Sequence, residues 1–107
     1  MYKIETCIPK SCLETIRKVL LDYDAGHIGN YKGCLIYYPI TGIWYSTRDA
    51  NPTVGAAGEW SKAVELKVDV IVDDELVKPV VLAIKEAHPY EEPVINIIHL
   101  EDISRFS

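Results

Sequence analysis

The chain has 107 residues, 49% of them hydrophobic and 25% charged, with a formal net charge of -5. That length predicts one domain, residues 1–107, large enough for a single core without metal or disulfide staples. The basic residues are scattered, which excludes a nucleic-acid surface built on clustered Lys and Arg. No apolar run approaches the roughly 20 residues of a membrane span.

Tyr2, Ile4, Thr6 and Ile8 alternate with Lys3, Glu5 and Cys7, the period of a strand with one buried face. Pro9 ends it. A helix opens at Lys10 or Ser11 and buries Leu13, Ile16, Val19 and Leu20, with Glu14, Arg17 and Lys18 toward water. Asp22 to Gly29 reads as the helix exit, with Gly26 free to adopt a left-handed conformation. Tyr31 to Tyr38 reads as a second strand ended by Pro39. Gly42 is expected to make a hairpin turn, and Ile43 to Thr47 to start a third strand.

Ser46 to Trp60 holds Asn51-Pro52, Gly55 and Gly58, and reads as a long loop. Val64, Leu66, Val68, Val70 and Val72 alternate with Ala63, Glu65, Lys67, Asp69 and Ile71, the strongest strand signal in the chain. Asp73 or Asp74 suits the start of a second helix. Its buried face would be Leu76 or Val77, Val80, Val81, Ile84 and Ala87. Pro79 predicts a distorted first turn if the helix starts at Asp74. Val94 to Leu100 reads as the last strand and Glu101 to Ser107 as a loosely held tail.

The order strand, helix, strand, strand, helix, strand predicts an α+β, ferredoxin-like βαββαβ sandwich: an antiparallel four-stranded sheet with both helices on one face. The other face would carry Cys7, Ile71 and either Ile95 or Val94. A half-apolar open face of that kind predicts an oligomer. Met1-Tyr2-Lys3-Ile4-Glu5 lacks the charged start and apolar middle of a signal peptide. Cys7, Cys12 and Cys34 are odd in number, which fits free thiols in a cytoplasmic protein.

Chemistry concentrates in His88-Pro89-Tyr90-Glu91-Glu92-Pro93, where two prolines fix the backbone at the junction of the second helix and the last strand. An imidazole with carboxylates suits zinc, copper, manganese or a similar divalent ion. Adjacent Glu91 and Glu92 point to opposite sides of an extended segment, so at most one joins His88. The same run also serves as a plain helix-ending turn, with His88 against the last helical carbonyls. His27 and Asn30 lie between and beside Gly26 and Gly29, where a ligand can approach the backbone closely; a helix cap followed by a turn is the simpler reading. Cys34 could add a thiolate to a histidine, or pack as a small hydrophobe. Arg48 is the nearest anion contact in the long loop, and Trp44 and Trp60 flank it. Gly55-Ala56-Ala57-Gly58 matches neither a Walker loop nor a dinucleotide fingerprint. No Ser or Cys sits in a nucleophile motif.

Ala25-Gly26-His27-Ile28-Gly29-Asn30-Tyr31, Cys34, Gly42-Ile43-Trp44, Ala50-Asn51-Pro52, Gly55, Gly58, Val64-Glu65-Leu66 and Ala87-His88-Pro89-Tyr90-Glu91-Glu92-Pro93 occur in this order. Together, over residues 1–100, they resemble the CutA/PII-like domain found inserted in bacterial members of the Nif-three-like (NGG-interacting factor) family. The resemblance implies a ferredoxin-like fold and a homo-oligomer, a trimer above other states, that binds a small ligand or metal ion at subunit interfaces. The two-metal, hydrolase-like centre of the larger proteins lies in flanking domains and is not carried over to these residues. The expected function is therefore an oligomeric regulatory or ligand-sensing module with no catalysis of its own. Its expected metal donors are His88, Glu91, Glu92 and Cys34, and its expected ligand contacts are His27, Asn30, Arg48 and Tyr90. Two alternatives are a metal-assisted hydrolase with Glu91 or Glu92 as base, and a purely structural protein-interaction domain.

Overall fold

The computed structural model describes all 107 residues. In chain order its elements are β1 (Tyr2–Ile8), α1 (Leu13–Asp22), β2 (Leu35–Tyr45), β3 (Trp60–Val72), α2 (Val77–Ala87) and β4 (Ile95–His99). The strands form one antiparallel sheet in the order β2-β3-β1-β4. This is the ferredoxin-like arrangement expected from the element order. No helix is long and apolar enough to cross a membrane.

Alternation along β1 and β3 decides which face the helices cover. Ile4 and Ile8 point to the same side as Leu66, Val68, Val70 and Val72, and all six are buried. Ile16 and Leu20 of α1 and Val80 and Ile84 of α2 close over them. Thr6 is buried in the same row, and its hydroxyl donates to the Val94 carbonyl at 2.8 Å, so the burial leaves no orphan donor. A turn of 3₁₀ helix, Asp74–Leu76, precedes α2. Pro79 thus falls within the first turn of the α-helix proper, where a missing N–H costs nothing.

The expected turn at Gly42 does not form. β2 runs unbroken from Leu35 to Tyr45 and pairs with β3 at every position, Pro39 opposite Leu66 and Gly42 opposite Ala63. Pro39 is tolerated because β2 is the outermost strand, so its missing N–H can face solvent. Gly42 has a packing reason instead of a turning one: a Cβ there would lie 2.7 Å from Oε1 of Glu65. The chain reverses only in the loop 46–59, closed at its base by the Ser46 N–H bonded to the Glu59 carbonyl at 2.9 Å.

The β2–β3 hairpin outruns the helices. The molecule measures 51 × 27 × 23 Å with a radius of gyration of 15.3 Å, against about 13 Å for a globular domain of this size. On the protruding arm Ile43, Trp60 and Val64 are more than half exposed. Tyr45 and Trp60 stack edge to face near its tip, 5.5 Å between ring centroids.

The sheet face away from the helices is mixed rather than bare. Cys7, Ile71 and Val94 lie on that side, as expected, while Ile95 is paired with Thr6 and packs toward the core. Ile36 and Tyr38 of β2 are exposed there. Between them and β4 runs a charged strip. Glu5 stands directly opposite Asp69, a repulsive pairing on its own. Lys67 offsets it, with Nζ 3.2 Å from Glu5 and 3.8 Å from Asp69, and Lys3 reaches Glu5 at 3.1 Å. Lys3, then Lys67, hold the Glu5 carboxyl below its ordinary value of 4.5. A depressed folded-state pKa gives stability that is present above the unfolded value and lost as pH falls through the folded one. Urea unfolding midpoints should therefore drop as pH falls below about 4.5, and Glu5→Gln should flatten part of that dependence. An identical acid profile for both proteins would contradict the strip's contribution.

Candidate functional site

The loop 46–59 does not extend from the hairpin tip. It folds back over the open sheet face to the corner that follows α2. Two hydrogen bonds pin it there: the Asn51 N–H donates to Glu91 Oε2 at 2.7 Å, and the Thr53 hydroxyl donates to the Pro89 carbonyl at 2.9 Å. Beneath the loop lies a cleft of about 700 Å³. Its floor is Cys7, Ile40, Trp44 and Glu65 of the sheet, and Tyr90, Glu92 and Val94 make the wall beyond.

His88 builds that wall from behind. It is 6% exposed. Its Nε2–H donates to the Cys7 carbonyl at 2.7 Å, and its Nδ1 accepts from the Tyr90 N–H at 3.2 Å. A donor on one side and an acceptor on the other fix a single neutral tautomer. Both ring nitrogens are thereby committed to backbone, and the ring lies tilted against Tyr90, 4.9 Å between centroids. His88 is a clamp that ties the corner to β1.

Half-buried Tyr90 and buried Glu65 form the polar centre. Burial raises the Tyr90 phenol well above its ordinary value, and the adjoining Glu65 carboxylate adds to the effect. Burial and the Glu65 charge also push the Cys7 thiol up. Glu65 is 7% exposed, and its Oε2 has no hydrogen-bond partner. Asp49, Glu91 and Glu92 bring further carboxylates to the rim, and no Lys, Arg or His lines the cleft.

The other expected contacts lie elsewhere. His27 is held by its own loop, Nδ1 3.2 Å from Asp24 and Nε2 3.0 Å from the Gly29 carbonyl. Asn30 is exposed in the tight turn closed by Ile28 and Tyr31. That loop docks by the Gly26 N–H on the Ile71 carbonyl and by the Cys34 N–H on the Gly26 carbonyl. Ile71 faces Lys3, whereas the His88 clamp holds Cys7. Four strand residues, about 13 Å, separate the two ends. Within one chain the His27 loop and Cys34 therefore stand at one end of the sheet and the His88 corner at the other. No group of three His, Cys, Asp or Glu is placed to hold a metal ion: Glu91 is bonded to Asn51, His88 to backbone, and Cys34 sits at the far end. Arg48 is exposed and packs near Gly58, outside the cleft lining. Only Tyr90, Glu91 and Glu92 of the expected residues line the cleft.

Sequence reasoning missed Glu65. Its strand places Glu65, Lys67 and Asp69 on one face, and three charges in a row read as solvated. The signal that singles out Glu65 is Gly42, two residues along β2 from its partner Ile40, but that requires the strand register.

No protein-family model matches the chain. A protein of Listeria innocua called a GTP cyclohydrolase 1 type 2 homolog is 37% identical over 100 residues, spanning 92% of this chain and 27% of that protein. The chain thus spans about a quarter of the length of the curated relatives it matches. Among solved structures, a Bacillus cereus protein related to NIF3 superposes with a TM-score of 0.78 at 30% identity, over 94% of this chain and 26% of that one. The PII-like protein CutA of Nostoc superposes at 0.71 with 21% identity, over 97% of this chain and 85% of that one. The periplasmic divalent cation tolerance protein CutA of Archaeoglobus fulgidus does so at 0.70 with 24% identity, over 95% and 86%. The chain has a ferredoxin-like fold of the CutA/PII-like kind and is similar over nearly its whole length to a domain-sized segment of proteins related to NIF3.

Proposed function

We propose that this domain is an oligomeric, non-catalytic ligand-sensing module, assembled as a trimer, whose ligand enters the cleft between the 46–59 loop and the 88–92 corner. The observation that supports the reading most is the loop itself. It is folded over the sheet and fastened to the corner by two hydrogen bonds, so anything that enters the cleft must bear on both. The loop leaves β2 and β3, whose outer surfaces carry the exposed Ile36, Tyr38, Ile43 and Trp60. A ligand that shifts the loop thereby shifts a surface suited to self-association.

A divalent ion, in line with the cation-tolerance name of one structural relative, would need donors from a neighbouring subunit beside Glu91 or Glu92. His27 and Cys34, at the opposite end of the sheet, are the residues a neighbour could bring. Three free cysteines support a reducing, cytoplasmic setting. The cyclohydrolase named in the relatives belongs to proteins about four times as long and is not ascribed to this segment.

A ligand selective for the folded assembly raises its melting temperature. Zinc, copper and manganese should be tested singly by thermal melting and equilibrium dialysis. At least one is expected to bind with a stoichiometry tied to the assembly, and to lose affinity on changing Glu92 to alanine. Absence of any bound ion sets the metal version aside.

A further inference from the structure

We propose that the cleft takes a small organic cation, a protonated amine on an apolar body, with the ammonium seated on the Glu65 carboxylate. The proposal rests on the reading of this cleft as a ligand site and names the class of ligand.

Glu65 is more than nine-tenths buried, yet it enters no ion pair within the chain, and Oε2 lacks any hydrogen-bond partner. A buried carboxylate is ordinarily paired or hydrogen-bonded, because an uncompensated charge in a low-dielectric site is costly. Here the floor around it is kept open. Gly42 lacks the Cβ that would press on Oε1, and both residues line the cleft. The Tyr90 phenol supplies a second oxygen beside the carboxylate. An ammonium carries three donors and no acceptor, so these oxygens match it in kind.

The rest of the lining sorts among ligands. Asp49, Glu91 and Glu92 are the only other charged side chains there, all acidic. Their summed field repels anions and concentrates cations. A bare metal ion demands several converging donors, and within one chain no three of the usual side chains converge. An organic cation needs one carboxylate and an apolar berth. Ile40, Trp44, Pro52 and Val94 provide the berth, and the Trp44 ring offers a face of the kind that attracts cations. A volume of about 700 Å³ falls within the range of small-molecule sites, roughly 300 to 1,000 Å³.

Three probes of similar shape separate charge from size: 2-phenylethylamine, 2-phenylethanol and 3-phenylpropionate, titrated calorimetrically into the assembled protein at pH 7. The amine is expected to bind at least about tenfold more tightly than the alcohol, the margin of one charge-assisted hydrogen bond, and the carboxylate to bind worst. Glu65→Gln should bring amine and alcohol to equal affinity while leaving the alcohol's own affinity unchanged. The wild-type ranking stands as a test even if that variant fails to fold. Alcohol binding as tightly as amine, or preference for 3-phenylpropionate, overturns the cation and leaves the ligand-site reading in place. No binding by any of the three overturns both.

Discussion

Replacing Gly26 with alanine is expected to destabilise the domain by about 4 kcal/mol. Two costs combine: roughly 1–2 kcal/mol for a side chain in the left-handed region, and roughly 1–3 kcal/mol for forcing atoms into filled space. Gly26 has φ +75, and a Cβ there would meet the Cys34 carbonyl oxygen and the Cys34 nitrogen inside contact distance. The neighbour is backbone and cannot swing away. It is also where the exit loop of α1 is bonded to Ile71 and Cys34, so relief by shifting breaks the loop's anchorage. For a domain of this length the loss corresponds to a melting temperature lower by about 20 °C. Gly29→Ala is the matched control. Its φ is +56 but nothing lies within 4 Å of the added carbon, so only the backbone cost applies, about 1 kcal/mol. Equal effects of the two substitutions in urea or thermal unfolding would contradict the close-approach argument.

His88→Ala is expected to cost about 3 kcal/mol, since it leaves two polar groups without partners at roughly 1–3 kcal/mol each. Those groups are the Cys7 carbonyl and the Tyr90 N–H. The effect should be the same with a chelator present, because both bonds run to backbone. This separates the clamp from the metal donor expected from the sequence. Loss of zinc affinity with stability in chelator unchanged would restore His88 as a ligand. His27→Ala serves as the comparison. His27 is exposed and bonded within its own loop, and the change should fall within about 0.5 kcal/mol.

The sequence made the core legible because β1 and β3 alternate cleanly and the helices carry their apolar residues at one spacing. Burial of Ile4, Ile8, Leu66 and Val68 against Ile16, Leu20, Val80 and Ile84 follows from those two periods. β2 was harder to read. Pro39 and Gly42 are the residues that ordinarily end strands, yet one is tolerated at a sheet edge and the other makes room for Glu65. Both reasons depend on neighbours distant in sequence.

The site was half legible. The 88–92 run does form a rigid corner, and Tyr90, Glu91 and Glu92 do face a cleft. Composition could not say that His88 turns inward to Cys7, because the choice between ligand and clamp rests on which carbonyl β1 presents. Nor could it place the His27 loop, which α1 delivers to the Lys3 end of the sheet while α2 delivers His88 to the Cys7 end. The 46–59 loop has no periodic signal. Its course is set by bonds from Asn51 and Thr53 to residues some forty positions later.

Self-association is the claim on which the sensing role depends, and native mass spectrometry of freshly purified protein tests it most directly. Each chain weighs 12.1 kDa. A dominant species of three times that mass, persisting on dilution, is the predicted result. A lone chain at every concentration, leaving Ile36, Tyr38, Ile43 and Trp60 in water, would contradict it.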